Sequence, residues 1–584
     1  MGLLMSQIKS LLKKVIDLWG VKYLFCCFVF FLLIFTFSGV KFFSLSVPLF
    51  YAYDGIFHLA AVKDILENHS IWLNPHLGFP NGYIGYDFPM TESFHFLLIM
   101  LLGSVFGHDP IIITNLFYLL SFALAALTSL WVLRYYKISY PLALAGSMVF
   151  TFLPYHFYRS TMHLFLSSYF TVPLWCAVIT TIYQNGKLQL HKNNILNIML
   201  ILLLSYVLSA TGIYYTFFGC FFLSCVVIIA WSEKRTSAAI ISLTFIVLAV
   251  CFIILQLAPS ILYHVQHGAN PLAAVRSPAQ TEIYGLRIAH LLLPAEYNRI
   301  SLLANISNRY NQIFVSGLNE SIYSHLGLVS SCGFILLLLM IFIPRNFPDN
   351  AQVKLISKLN LLAVLFATTS GFAVLFSFFV TDMIRSVNRI SVFIAFFAIF
   401  MVLYLLQSVI SKFKIHPTVY WLISASVLYL AAVDQIDPSS FDNRKNIMPA
   451  ASDKYFVADI EHSLPKGSAI FQLPYMDFPE PQVIPNAMGT YEPMSLYLYS
   501  RDLYWSYGAT KGRAVDKWNK TTADLPLKAM LAKLKPAGYS GLVIDTYGYQ
   551  DKGQSIIQKL NRELGESPLR SLDQHYVFYP LVSK

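Results

Sequence analysis

Apolar runs long enough to cross a bilayer recur along the first 433 residues, and clusters of Lys and Arg separate them. A crossing helix needs roughly 20 predominantly apolar residues, and about eleven runs approach that length, some of them short. They lie near 21–43, 111–133, 140–156, 168–184, 194–212, 213–231, 236–257, 322–343, 358–380, 387–410 and 418–433. Hydrophobic residues make up 56% of the chain and charged residues only 12%, against about a quarter charged in a typical soluble domain. So little charge cannot cover a water-facing globule of this size. An α-helical polytopic membrane protein is therefore expected.

The basic clusters give the spans a direction. With the N-terminus inside, the cytoplasmic connections are Arg134–Lys137, Lys187–Lys192, Lys234–Arg235, Arg345–Lys358 and Lys412–Lys414, each with at least two Lys or Arg, as the positive-inside rule asks. The formal charge of +11 is then an orientation signal, and nucleic acid is not an expected partner. Lys9, Lys13 and Lys14 precede a first run that is too long for a signal peptide and has no small-residue cleavage site after it, so an uncleaved first helix is expected. The alternation closes only if 93–107 (SFHFLLIMLLGSVFG) does not cross. That segment is short and flanked by Asp87, Glu92 and Asp109, which suits a helix lying on the outer surface.

Two outward loops follow from this, 44–110 and 258–321, and the chain after about 434 is also outside. From Asp434 long apolar runs stop. The segments 468–474, 540–546 and 575–581 read as buried strands, while 521–534 and 551–564 read as amphipathic helices. Strands alternating with helices predict an extracytoplasmic α/β domain over 434–584, beside a membrane domain over 1–433. All seven cysteines lie in apolar stretches, so neither a disulfide framework nor a Cys-based zinc site is expected.

The chemistry-bearing residues fall on the outer side. Residues 51–72 (YAYDGIFHLAAVKDILENHSIW) read as a juxtamembrane helix that places Asp54 and His58, four apart, on one face. A partly desolvated carboxylate there suits a general base toward a hydroxyl; Asp is equally a common helix N-cap. Asp87, in YDFP, is a second candidate acid or a turn residue before Pro89. Arg385 and Arg389 border a late span, four apart, where guanidinium forks suit phosphate oxygens; snorkelling to headgroups is the alternative. Arg159 and His163 sit between two apolar runs, as a phosphate or acceptor contact or as an interfacial anchor among Tyr155, Tyr158 and Tyr169. In 258–321, His264, His267, Arg276, Glu282, Arg287, His290, Glu296 and Arg299 show no metal-ligand spacing and are expected to be mostly solvated. The tail shows no metal cluster, phosphate loop or nucleophile elbow, so it is expected to serve recognition or cover.

A first membrane helix, an outer loop whose Asp opens a surface helix, and then NPHLGFPNGYIGYDFPMTESFHFLLIMLLGSVFGHDP (74–110) resemble the GT-C superfamily of polytopic glycosyltransferases. The likeness is to its mannosyltransferase and aminoarabinose-transferase branches and is clearest over 20–185. The resemblance implies an acidic catalytic residue in the first outer loop, a position that Asp54 matches. It also implies a sugar donor on polyprenyl phosphate or diphosphate. Paired acids are frequent there, but Gly55 follows Asp54 in this chain. One base without a close second carboxyl fits inversion, with lipid phosphate leaving as a stable anion.

These readings combine as an inverting glycosyltransferase for which no cofactor or metal is indicated, although some branches of the superfamily use a divalent ion. Asp54 is the base, Asp87 a second candidate, and Arg385, Arg389 and Arg159 bind the donor phosphate with His58 and His163 in support. The acceptor is an envelope glycan, lipid or protein on the outer face of a bacterial inner membrane. The alternatives are a flippase of lipid-linked sugars, or a polysaccharide polymerase or ligase using the loop 258–321.

Overall fold

The computed structural model describes residues 2–39, 42–314, 319–343, 351–413, 416, 418–565 and 567–582, with side chains from residue 20 onward. The basic residues Arg345 and Lys414, and the side chains of Lys9, Lys13 and Lys14, lie outside the described part.

Among the described residues, six helices are long and apolar enough to cross a membrane: Gly20–Phe37, Pro110–Tyr135, Thr161–Asn185, Ile213–Ser232, Thr236–His267 and Val387–Lys412. The protein is thus a multi-pass membrane protein, although fewer helices than the eleven expected have full crossing length. The shortfall has local causes. The run 140–156 is helical only over Tyr140–Thr151 and restarts at Pro154, because a residue before proline is pushed out of the helical region. The run 358–380 is divided between helices Ala351–Ala367 and Phe372–Phe379. The run 322–343 keeps helix only over Leu328–Leu339. In the other direction, Thr236–His267 runs ten residues past its expected end, with Pro259 inside it.

The segment Ser93–Phe106 is a helix of 14 residues. At 1.5 Å per residue it rises about 21 Å, less than the roughly 30 Å hydrocarbon core. It packs against the helices Tyr53–Asn68 and Pro110–Tyr135.

The C-terminal region holds a five-stranded mixed sheet in the order 504–505, 469–473, 539–545, 576–580, 569–570. Strand 469–473 is parallel to both of its neighbours, and 576–580 is antiparallel to both of its own. The three expected strands are present. The expected helix 521–534 is two helices, Ala514–Ala523 and Leu527–Leu534, parted at Pro526, whose missing N–H cannot continue a helix ladder.

Both faces of this sheet are buried, which is why its strands read as almost unbroken apolar runs. Phe471, Leu542, Ile544, Val577 and Tyr579 pack with Met530, Leu534, Ile557 and Leu560 on one face. On the other, Ile470, Val543 and Phe578 pack with Phe456 and Ile460 of helix Ile447–Ser463 and with Ile56, Leu59 and Ala60 of helix Tyr53–Asn68. The helix that carries Asp54 therefore belongs to the core of the C-terminal region. A polar clamp reinforces the seat: buried Lys63 donates from Nζ to the carbonyls of Tyr497 (2.7 Å), Leu498 (3.4 Å) and Ser500 (2.5 Å).

Candidate active site

Asp54 lies in the first turn of helix Tyr53–Asn68, but it does not cap it. The N-cap is Ala52, and no side chain accepts from the helix N-terminus. Instead Asp54 Oδ2 faces His163 Nε2 at 3.4 Å, and the Asp54 side chain is 44% exposed. Burial of its surroundings pushes the carboxyl up. The hydrogen bond and charge of His163, then the charges of His58 and Arg389, outweigh that and hold it below the usual carboxylate value. His58 shares the helix face as expected. Burial drives its pKa down to about 4, so the ring is neutral at physiological pH, and its Nδ1 is buried without a hydrogen-bond partner.

Gly55 explains the missing acid pair. A Cβ at this position would meet Cδ1 of Phe50 at 2.8 Å and the Phe50 carbonyl oxygen at 3.2 Å. Any carboxylate beside Asp54 would have to displace this packing.

Arg159 and His163 reach the same place without sharing a helical face. The helix Pro154–Arg159 ends at Ser160, whose φ is +47°, and His163 sits in the 3-10 turn Thr161–His163 that follows. Arg159 is fully buried. Its guanidinium lies between the rings of Tyr155 and Tyr323, at 5.1 and 4.9 Å. It donates to both carboxylate oxygens of Glu320, at 3.0 and 3.2 Å. That paired geometry makes a strong charge-assisted bond.

Arg385 and Arg389 also depart from the expected common face. Arg385 stands in irregular chain, and Arg389 is in the 3-10 turn Val387–Ile390 that leads into helix Ser391–Lys412. They reach different carboxylates. Arg389 donates to Glu320 at 3.4 Å and stacks on Tyr214 at 4.2 Å. Arg385 donates to Glu480 at 3.4 Å and to Gln280 at 3.0 Å. Glu480 also takes both forks of Arg276, which the sequence placed among solvated residues.

Glu480 is held in an uncommon backbone conformation, with φ of +48°, a state costing about 1–3 kcal/mol for a residue other than glycine. Its N–H donates to Tyr491 Oη at 3.1 Å, and its carbonyl accepts from Lys511 Nζ at 2.7 Å. Tyr491 stacks on Phe57, three residues after Asp54, with ring centres 5.1 Å apart.

The contacts close a circuit. Asp54 meets His163, which lies within the fields of Arg159 and Glu320. Glu320 joins Arg159 to Arg389, and Arg389 lies on Tyr214, whose Oη accepts the Ser386 N–H at 3.5 Å. From the neighbouring Arg385 the path runs through Glu480 and Tyr491 to Phe57, on the Asp54 helix. Four arginines here share two carboxylates, Glu320 and Glu480. The excess positive charge beside an open carboxylate is what an anionic ligand with a neutral hydroxyl partner requires.

Asp87 stands in a different cluster. Its side chain has no exposed surface. It accepts from Arg513 at 2.7 and 2.6 Å, His264 at 3.0 Å and Asn270 at 3.0 Å. Burial raises its pKa, but the Arg513 and Asn270 hydrogen bonds and the Arg513 charge lower it more. The cluster fastens the segment between helices Tyr53–Asn68 and Ser93–Phe106, the end of helix Thr236–His267 and the C-terminal region to one another. Arg513→Ala is expected to destabilise the chain by about 3–5 kcal/mol, the usual cost of orphaning a buried ion-pair partner. It should read as a lowered melting temperature in detergent. An unchanged melting temperature would show that Asp87 is not an anchor.

Two acids of the site, Glu320 and Glu480, were not singled out in the sequence. Their contacts with the arginines that a linear reading connected to Asp54 span 69 positions or more. The available signal was indirect: a buried arginine requires a carboxylate.

No family model matches the chain, and no curated protein matches it. By fold it is similar to three solved structures. One is ArnT from Cupriavidus metallidurans bound to undecaprenyl phosphate, at 12% identity and TM-score 0.49, covering 97% of this chain and 99% of that one. Another is the Archaeoglobus fulgidus oligosaccharyltransferase in complex with Zn and sulfate, at 10% and 0.43, covering 85% and 64%. The third is the mycobacterial arabinofuranosyltransferase AftD, at 13% and 0.44, covering 91% of this chain and 35% of that one. At this level of identity, residue roles rest on the geometry of the chain itself.

Proposed function

We propose that the protein is an inverting glycosyltransferase that moves a sugar from a polyprenyl-phosphate carrier to a hydroxyl of an envelope glycan, lipid or protein. The observation that carries this reading is the circuit joining Asp54 to four arginines that share only two carboxylates. In this reading the chain crosses a bacterial inner membrane about eleven times, counting the shorter apolar helices as spans. Its N-terminus is inside, and residues 434–584 form an outer α/β domain over the site.

The acceptor hydroxyl attacks the anomeric carbon, the bond from that carbon to the phosphate oxygen breaks, and the electron pair leaves with the lipid phosphate. Arg385 and Arg389 meet the developing phosphate charge, with Arg159 behind them. Asp54 accepts the hydroxyl proton. A carboxylate below its usual pKa is a weak base. An arriving phosphate offsets the Arg389 charge that helps depress Asp54, so donor binding raises the basicity of Asp54 when it is needed. Asp87, with its oxygens committed to Arg513, His264 and Asn270, positions the loop and exchanges no proton.

The test is transfer itself. The full chain in proteoliposomes, given a radiolabelled polyprenyl-phosphate sugar and envelope acceptors, is expected to release polyprenyl phosphate only when acceptor is present. Lipid-linked sugar that crosses the bilayer with its bond to the carrier intact would make the protein a flippase. Loss of transfer in Arg385→Glu/Arg389→Glu with a silent Asp54→Asn would favour the transport or polymerase reading.

Glu480 supplies a finer prediction. It occupies the forks of Arg276 and Arg385 and so competes with a donor phosphate. Glu480→Gln keeps the shape and removes the charge, so the KM for the donor is expected to fall several-fold at low salt, and the effect should shrink as salt screens the arginines. A raised KM would mean that Glu480 positions the arginines more than it blocks them.

A further inference from the structure

The C-terminal region shows no metal signature in its linear order, yet the fold assembles one. Asp545 ends strand 539–545, and His575 stands just before strand 576–580. The antiparallel register pairs Asp545 with Tyr576, which sets His575 alongside. Glu492 opens the 3-10 turn Glu492–Met494. One donor atom from each of the three residues lies within 4.8 Å of the others.

The distances suit ligands of one ion. His575 Nε2 is 2.9 Å from Asp545 Oδ1 and 3.7 Å from Glu492 Oε1. Bonds of roughly 2.0–2.1 Å in a tetrahedral site put neighbouring donors roughly 3.3 Å apart, between those two values. The ring is fixed in its orientation. Tyr547 and Tyr576 each stack on His575, with ring centres 4.0 Å away and planes tilted by 19° and 17°.

Two further observations point to a missing cation. Asp545 is 3% exposed, and its Oδ2 is buried without a hydrogen-bond partner, although its Oδ1 accepts from His575 and the Tyr547 N–H. Charge is also out of balance. The charges of buried Asp453 and of Asp573 also reach the same imidazole. Among the described residues, neither Glu492 nor Asp545 has a Lys or Arg partner.

We propose that Glu492, Asp545 and His575 form a site for a zinc-class divalent cation, which takes the place of the direct His575–Asp545 contact and pins the two strand ends to the turn at Glu492. One imidazole with two carboxylates is a donor set that suits zinc better than magnesium or calcium, which prefer all-oxygen shells. The site is separate from the arginine circuit and does not depend on the proposed transfer reaction. Its role is structural: metal binding energy becomes stability of the folded region.

The test uses the full-length chain in detergent, stripped with a chelator, given zinc chloride, desalted and analysed for metal. About one zinc per chain is expected, with a raised melting temperature, since binding the folded state alone stabilises it. Glu492→Gln leaves the His575–Asp545 pair in place and is expected to fold, verified by circular dichroism and gel filtration. It should bind zinc at least about tenfold more weakly, as loss of a ligand does at sites where even supporting residues matter that much. Two results would overturn the proposal: a stripped wild-type chain that takes up less than about 0.2 zinc where a structural site takes one, or equal retention of zinc by wild type and Glu492→Gln. The first would mean that protonated His575 is itself the cation of the cluster, and the second that zinc sits on other histidines.

Discussion

Asp54→Asn is expected to transfer sugar about 10²–10⁴-fold more slowly than the parent chain, the range over which a positioned general base contributes, with melting temperature and donor binding nearly unchanged. The geometry separates these readouts. Asparagine has the same shape and can still bond His163, but it cannot take up a proton. No helix cap is lost, because Ala52 holds that position and Asp54 makes no capping bond. The side chain is also open enough, at 44% exposure, for the substitution to leave the core alone. The pH dependence adds a second check. The carboxyl of Asp54 titrates below its ordinary value, so in the free enzyme it is already charged at neutral pH. Its contribution to kcat/KM should be flat across the neutral range and fall only as pH drops through that depressed value. An acid limb that persists in Asp54→Asn would belong to another group. Transfer at the parental rate would remove Asp54 from the reaction and leave it as an exposed partner of His163.

The sequence revealed a mostly helical membrane protein because apolar length is a local signal. It also revealed the small sheet, because strands buried on both faces read as apolar runs. The helix count was less legible. Whether 140–156 is one helix depends on Pro154, and whether 358–380 is one depends on the chain around Gly371, where a Cβ would strike the carbonyls of Leu365 and Thr368. At the site, the polar residues that the fold brings into one circuit could be named: Asp54, His58, Arg159, His163, Arg385 and Arg389. The spacing of four held for Asp54 and His58 but misled on geometry for Arg385 and Arg389. A break at Ser160 and irregular chain at Arg385 leave the pairs Arg159/His163 and Arg385/Arg389 off any common helical face. They converge through tertiary partners, Glu320 and Glu480, whose positions no local pattern encodes. The same holds for Asp545 and His575, which meet only through strand register.

Glu320→Gln is expected to cost about 3–5 kcal/mol of stability, as when one partner of a buried ion pair is removed. Arg159 has no exposed surface, and both of its charged contacts are to Glu320. Glutamine keeps the shape but offers one acceptor oxygen and an amide donor facing a guanidinium. Arg389 loses its carboxylate at the same time. Burial raises the pKa of Glu320, but the charges of Arg159 and Arg389 outweigh it and hold the carboxyl well below its usual value. The sign follows. Because the folded value is depressed, the stabilisation is fully present above the ordinary glutamate range and is lost as pH falls through the folded value. The parent chain should therefore lose more stability than Glu320→Gln on acidification below about pH 4.3, the reference glutamate pKa, and the difference in melting temperature should narrow there. Arg159→Met/Glu320→Met separates a structural pair from a functional one. Replacing both charges by apolar groups of similar size is often neutral or stabilising, so the double variant should regain the part of the melting temperature that the orphaned Arg159 costs, while Arg389 lacks its Glu320 partner in both variants. If Arg159 serves the donor phosphate, the restored fold will still transfer poorly, with the deficit in kcat/KM. Recovery of transfer along with stability would reduce Arg159 and Glu320 to scaffold and leave phosphate binding to Arg276, Arg385 and Arg389.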